Sequence, residues 1–249
     1  YKKAFGDEEF RNYTIYILVA FVTIATVLLA SGISFGTAFR DSLFQVVSLG
    51  TSTGYASADY MPWPVVTHLI IFILMIVGAS AGSTGGGLKL LRVTLAFKVA
   101  MRELVRIAQP RKVDRIRMNG EVVERQQIGL IVGMLFVWVG LFGISSIILA
   151  IFMPGDSFES ITTLVASSLG NTGPALGDYG PTNTWSGLNS GSLLITSILM
   201  WFGRLELLTA VILIHPRTWR REKRVQSDRA AIALFRRLMD EKQEKKKQG

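Results

Sequence analysis

Apolar residues in this chain come in long blocks separated by short polar turns, and the block lengths predict the elements. Tyr13–Ile33 is long enough, at ~1.5 Å per helical residue, to cross the ~30 Å hydrocarbon core of a bilayer. Gly36–Leu49 is too short and too polar at its start to do so. It predicts a re-entrant helix, a form tolerated at membrane depth only inside protein or beside water. The turn Gly50–Ala58 follows, and Met61-Pro-Trp-Pro leads back into apolar sequence that runs from Pro64 to about Ala108. A single helix of that extent would approach ~65 Å, twice what is needed. The run is broken at Gly78-Ala-Ser-Ala-Gly-Ser-Thr-Gly-Gly-Gly87, which is poorly suited to a regular helix and predicts an unwound segment between two helices. The second of these carries Lys89, Arg92, Lys98 and Arg102 toward the cytoplasm.

After a basic connection, Pro110–Arg125, whose Met118-Asn-Gly-Glu121 has the Asn-Gly pair of a tight hairpin, the pattern returns. Gln126–Phe152 predicts a span, Asp156–Leu169 a second short helix capped by Asp156 or Ser157, Gly170–Gly177 a second turn, and Gly191–Ile214 a last span. Between the last two lies an outer loop, Asp178–Ser190. The charged tail Arg217–Gly249 holds Ile232, Phe235, Leu238 and Met239 at the spacing of one helical stripe.

The two halves match without a gap at an offset of 119 positions. Gly36 falls on Gly155, Phe39 on Phe158, Val46 on Val165, Ser48 on Ser167, Thr53-Gly54 on Thr172-Gly173, Asp59-Tyr60 on Asp178-Tyr179 and Pro62 on Pro181. The expected architecture is an all-α integral membrane protein in which span, re-entrant helix, polar turn and span occur twice in tandem, in the same orientation. Its parts would be a repeat over 1–109, a basic loop at 110–126, a repeat over 127–216 and a basic tail at 217–249.

Composition agrees: hydrophobic residues make up 49% of the chain and its mean hydropathy is +0.38. There are no cysteines, which excludes disulfides, thiolate metal sites and a cysteine nucleophile in these residues. The opening Tyr-Lys-Lys-Ala-Phe-Gly reads as part of a longer chain. The net charge of +9 would suit nucleic acid, but all Lys and Arg except Arg40 and Arg204 lie before Tyr13, between Lys89 and Arg125, or after Arg217. The other polar segments hold Asp41, Asp59, Asp156, Glu159 and Asp178. That is the asymmetry of a membrane protein with cytoplasmic basic segments, so both ends of this chain are expected in the cytoplasm, with no nucleic-acid partner.

Signs of an enzyme are weak. His68 sits in an apolar span and His215 precedes Pro216, neither with a carboxylate, hydroxyl or second His at a telling spacing. Gly82 and Gly87 have the separation of a phosphate-binding loop, but Leu88 stands where its Lys belongs. Gly129 and Gly133 have the spacing of a helix-packing pair. The repeated turns suit ion conduction better. Stripping water from a cation requires several oxygens aimed at one axis, and main-chain carbonyls supply them where successive residues alternate conformation about a glycine with positive φ. Thr51-Ser52-Thr53-Gly54 and Gly170-Asn171-Thr172-Gly173 are placed to do this. Each follows the C-terminal, electronegative end of a short helix, with Asp59 and Asp178 nearby at the outer mouth.

With Ser-Leu-Gly-Thr-Ser-Thr-Gly-Tyr, Gly-Ala-Ser-Ala-Gly-Ser-Thr-Gly-Gly-Gly-Leu-Lys and Ser-Leu-Gly-Asn-Thr-Gly-Pro, the chain resembles the Trk/Ktr/HKT superfamily of potassium transporters. The likeness is greatest to the third and fourth membrane–pore–membrane repeats of the bacterial Trk uptake subunits and covers nearly the whole chain. It implies a potassium-channel-like fold, with membrane helix, pore helix, filter loop and membrane helix repeated in tandem, and a C-terminal half, with the remaining two pore repeats elsewhere. It also implies residence in a bacterial inner membrane, a homodimer among membrane lipid, and a cytoplasmic nucleotide-binding regulatory subunit. Potassium would be the transported substrate, with no organic cofactor. The resemblance assigns Ser52-Thr53-Gly54 and Asn171-Thr172-Gly173 to the potassium site, and makes Gly78, Gly82, Ser83, Thr84, Gly85, Gly86 and Gly87 an intramembrane gate.

Arg204 is costly at membrane depth, ~2.5–3.5 kcal/mol on insertion scales, and so is expected to face a cavity or a partner. Matching Ile73-Leu-Met75 to Ile198-Leu-Met200 sets it level with the start of the glycine-rich segment, either as a positive barrier to cations or paired with a carboxylate on another helix. Two further readings stand beside channel-like uptake: an ion-coupled potassium symporter, and a non-conducting scaffold that docks cytoplasmic proteins.

Overall fold

A computed structural model describes residues 6–109 and 116–205, all within one compact unit, Tyr1–Leu207. The end of the last expected span, His215 and the basic tail lie outside the described residues.

Helix α1, Glu8–Ala30, begins five residues before the expected Tyr13. The Asp7 carboxylate caps it by accepting from Glu9 N at 2.7 Å, and Glu8 and Glu9 add negative charge at the positive end of the helix dipole. It ends three residues before Ile33, where Gly32 takes φ +85°. Helix α2, Phe35–Gly50, is capped by Ser34; α3, Val65–Val77, stops at Gly78 with φ +66°; α4, Leu90–Ala108, follows the irregular segment 78–89. Strands β1, Arg117–Met118, and β2, Glu121–Val122, form the expected hairpin, with Asn119 and Gly120 both at positive φ. Helix α5, Arg125–Phe152, leads to α6, Phe158–Gly170. Ser157 rather than Asp156 caps α6, and the Asp156 carboxylate instead accepts from the Tyr179 hydroxyl at 2.7 Å. Two 3₁₀ turns, Gly177–Tyr179 and Trp185–Gly187, bring the chain to α7, Ser190–Arg204, capped by Asn189.

The short helix α6 is the centre of the packing. It lies against α3, α5 and α7, and every residue from Ser160 to Gly170 is buried. Its Ala166 joins the core made by Ile24, Leu28, Val46, Leu49, Ile71 and Leu74, while Leu164, Val165 and Leu169 join Leu149 and Leu199. Its buried hydroxyls return hydrogen bonds to the preceding turn: Thr162 to Phe158 O, Thr163 to Glu159 O and Ser168 to Leu164 O. Its counterpart α2 differs. One face packs on α1 and α3, but Phe35 is exposed, and Phe39, Leu43, Phe44 and Val47 are exposed along an open groove of ≈ 710 Å³ that reaches Thr51, Thr53 and Tyr55.

Helices α1 and α5 are each long and apolar enough to cross a membrane. Their outward faces carry Ile15, Leu18, Val19 and Val22, and Phe136, Val139, Ile144, Ile147 and Ile151. Helices apolar on the outside as well as the inside suit lipid rather than water. Among the described residues, nothing lies within 4 Å of where a Cβ would stand on Gly129 or Gly133, so no described helix packs closely on that pair.

Candidate functional site

Helices α2 and α6 each end in a turn of the same construction. Ser52 and Gly54 have φ +56° and +81°; Asn171 and Gly173, 119 positions later, have φ +50° and +102°. Thr53 and Thr172, between them, keep negative φ. Thr53 N donates to Ser48 O at 2.8 Å, and the corresponding Thr172 N donates to Ser167 O at 3.1 Å. The left-handed conformation costs a non-glycine residue ~1–2 kcal/mol, so Ser52 and Asn171 are held in it by their surroundings.

These amide groups fold back onto the helix they leave, while the carbonyls do not. Among the described residues, no backbone oxygen of 51–54 or 171–173 accepts a hydrogen bond from the protein. The side chains are committed elsewhere. Thr51 and Thr53 hydroxyls bond each other at 2.7 Å, Thr172 Oγ1 donates to Ser167 Oγ, and Asn171 Nδ2 donates to Met200 O. The exception is Ser52 Oγ, buried and without a hydrogen-bond partner.

The two turns touch. A Cβ built on Gly54 would collide with the carbonyl oxygen of Thr172, and one on Gly173 would stand 3.9 Å from Gly54. Farther along, the Tyr60 hydroxyl donates to Ala175 O at 3.1 Å, a second tie between the halves.

The glycine-rich segment lies against both turns. A Cβ at Gly85 would be 3.2 Å from Ser52 Oγ, one at Gly86 2.6 Å from Gly170 O, and Gly87 N donates to Leu169 O at 3.3 Å. At Gly78 a Cβ would strike Gly86 O, whereas Gly82 has open space. Among the described residues, three charged side chains hold the segment. Arg204 Nη1 donates to Thr84 O at 2.6 Å, a carbonyl in the middle of the segment rather than at its start, and not a carboxylate. Lys89, expected to lead toward the cytoplasm, is instead buried and donates to Ala81 O and Ser83 O at 3.2 and 3.3 Å. Glu9 accepts from Ala81 N at 2.7 Å and from the Ser80 hydroxyl. Nothing in the local sequence marks Glu9 or Lys89 for this, because the partner of Glu9 lies more than 70 residues away.

Asp59 and Asp178 are both exposed, near but not within the turns. Asp59 accepts from Met61 N; Asp178 accepts from the Ser160 hydroxyl, which in turn accepts from Asp178 N. His68 does have a carboxylate partner, supplied by the other half: Nδ1 lies 3.0 Å from Glu159 Oε1, and Nε2 3.0 Å from Tyr60 O. Beside it in the outer loop, burial and then the hydrogen bond to Asp156 push the Tyr179 phenol up to about 12.

Comparison with known proteins identifies the family. The TrkH family of cation transport proteins matches residues 11–220. The Trk system potassium uptake protein TrkH of Vibrio parahaemolyticus is 31% identical over 217 residues, covering 86% of this chain and 44% of that protein. TrkH of Escherichia coli K12 is 32% identical over 218 residues, with 86% and 44% covered. The crystal structure of the potassium transporter TrkH from Vibrio parahaemolyticus superimposes with a TM-score of 0.80 at 30% identity, over 88% of this chain and 46% of that one. The chain therefore spans a little under half the length of these relatives. It is a helical membrane protein, and it belongs to the TrkH family of cation transport proteins.

Proposed function

We propose that this chain forms part of a potassium uptake pathway across a bacterial inner membrane. Residues 51–54 and 170–173 offer main-chain oxygens to a partly dehydrated potassium ion, and residues 78–87 close the path. One observation carries this reading: two touching turns repeat the same φ pattern and leave their carbonyl oxygens without donors. Once such a site is shielded from water, an unpaired carbonyl costs free energy unless something meets its lone pairs, and a cation does so. The negative dipole ends of α2 and α6 meet at the same place. Two turns make two sides of a coordination shell. Two more repeats, seated in the groove along α2, would make the other sides, as α5 and α7 already enclose α6. The relatives named for potassium uptake make potassium the expected cargo.

The segment 78–87 suits a gate because it abuts both turns through glycines and is held by side chains, not by regular secondary structure. Arg204 adds a positive charge there, unfavourable to a passing cation. The basic connection 110–126 and the tail 217–249 are the natural contacts for anionic lipid and for a cytoplasmic nucleotide-binding regulatory subunit, in a homodimeric assembly. Their charge favours a cytoplasmic position for both termini of this chain.

The test is rubidium flux through the full-length protein in liposomes, with and without Gly54→Ala. Flux that is selective for K⁺ and Rb⁺ and lost in Gly54→Ala is the expected result. Flux unaffected by the substitution would remove the turns from the pathway and leave a scaffold. Reversal at the potassium equilibrium potential alone marks conduction; dependence on a second ion's gradient marks a symporter.

A further inference from the structure

We propose that Glu9 is the latch of the glycine-rich segment, and that Glu8, its neighbour, ties this latch to the hairpin between the two halves. The functional part of this inference rests on the reading of residues 78–87 as a gate; the mechanical part does not.

One carboxylate oxygen of Glu9 receives two donors from the start of the segment, Ser80 Oγ and Ala81 N. Charge-assisted bonds of this kind are about twice as strong as neutral ones. Glu9 is also the one anion among the charged side chains that hold the described segment; Lys89 and Arg204 grip carbonyls, so neither can replace it at an amide or a hydroxyl. Removing the carboxylate leaves Ala81 N and Ser80 Oγ without acceptors and weakens the hold on the start of the segment, where Lys89 still grips Ala81 O.

Glu8 faces elsewhere, because successive helical residues point ~100° apart. Its backbone N donates to Asn119 Oδ1 at 2.7 Å, and its Oε2 accepts from Asn119 N at 3.2 Å. Its other oxygen pairs with Lys98 of α4, whose Nζ also donates to Arg117 O at 3.0 Å. Asp7, the cap of α1, accepts from Asn119 Nδ2 at 3.4 Å. The first turn of α1 is thus clamped on one side by the hairpin and on the other by the glycine-rich segment. A movement of the hairpin that carries Asn119 away drags or frays this turn, and Glu9 leaves Ser80 and Ala81 with it. The hairpin is the handle, the α1 turn the lever and Glu9 the catch.

The test uses the full-length protein in lipid with Ala79→Cys, a position within the segment that is 2% exposed while the segment is seated, in a background free of other cysteines; this chain contributes none. Labelling by a water-soluble maleimide reports release of the segment, and rubidium flux is read in parallel. Loss of two charge-assisted bonds in Glu9→Ala should speed labelling by at least about ten-fold. Glu9→Gln, whose amide oxygen still accepts both bonds without the charge, should fall between. Asn119→Gly keeps the positive-φ turn and removes only the side chain; it should speed labelling by about three-fold. Should Glu9→Ala not fold, Ser80→Ala removes one of the two donors and should give about three-fold. Labelling unchanged in the Glu9 or Ser80 variant overturns the latch. Labelling raised by Glu9→Ala but not by Asn119→Gly overturns the tie to the hairpin. Labelling raised without any change in flux upholds the latch and overturns the gate reading of residues 78–87.

Discussion

Gly54 lies so close to Thr172 that a methyl group on its Cα would overlap the Thr172 carbonyl oxygen, whereas a methyl on Gly173 would sit in ordinary contact with Gly54. The two glycines occupy corresponding places in corresponding turns, yet they do not carry equal burdens. Gly54→Ala meets both a backbone oxygen and a disfavoured φ, and should abolish rubidium uptake in the full-length protein. Gly173→Ala meets only the φ penalty, ~1–2 kcal/mol, and should retain measurable uptake. Flux assays on folded, chromatographically normal protein would decide the order; equal losses would mean that the contact between the turns does not matter.

Arg204 reaches the middle of the glycine-rich segment through Thr84 O. Arg204→Ala removes both the grip and the positive charge, and basal potassium flux should rise several-fold. Arg204→Lys keeps the charge but not the guanidinium reach, so it separates the two contributions. Flux unaltered by Arg204→Ala would rule out a barrier at this position.

The outer segments of the two halves are held together by buried polar contacts that a thermal melt can weigh. Tyr60→Phe leaves Ala175 O without its hydroxyl donor and should cost about 1–3 kcal/mol, read as a lower Tm. His68→Leu removes a contact to Tyr60 O and one to Glu159; because the Glu159 side chain is 46% exposed and can turn to solvent, the loss should be smaller, about 1 kcal/mol.

Tyr179 offers a prediction in alkaline solution. Its phenol is pushed up to about 12 in the folded protein, so folding favours the neutral form. The stabilisation is complete below the ordinary tyrosine value near 10 and is lost as pH rises through about 12. Tyr179→Phe should therefore flatten the decline of Tm above pH 10, relative to the unmodified protein.

The order of helices, the break at Gly78–Gly87 and the glycines at 54 and 173 were legible in the sequence. Hydropathy marks where lipid-facing helices run, and glycine marks where a helix fails or φ turns positive. The ends of α1 were misjudged because the apolar run starts at Tyr13, while the helix starts where Asp7 supplies a cap. Positive φ at Ser52 and Asn171 was not legible, since neither residue needs it by its own chemistry; tertiary packing imposes it. Least visible were the polar pairs made by the irregular and outer segments. Glu9 with Ser80, Lys89 with the carbonyls of its own loop, and His68 with Glu159 all join residues that no periodicity relates. Only the fold brings them into reach.

Helix α6 is enclosed on every side by neighbours from this chain, and α2 has one bare apolar side. This difference bears on biogenesis. The C-terminal half can settle as soon as α3, α5 and α7 are inserted, but α2 stays unfinished until further protein arrives. Produced by itself, this stretch should bind extra detergent along Phe35, Phe39 and Phe44, or self-associate there. A cell making it would need to shield that flank during the interval.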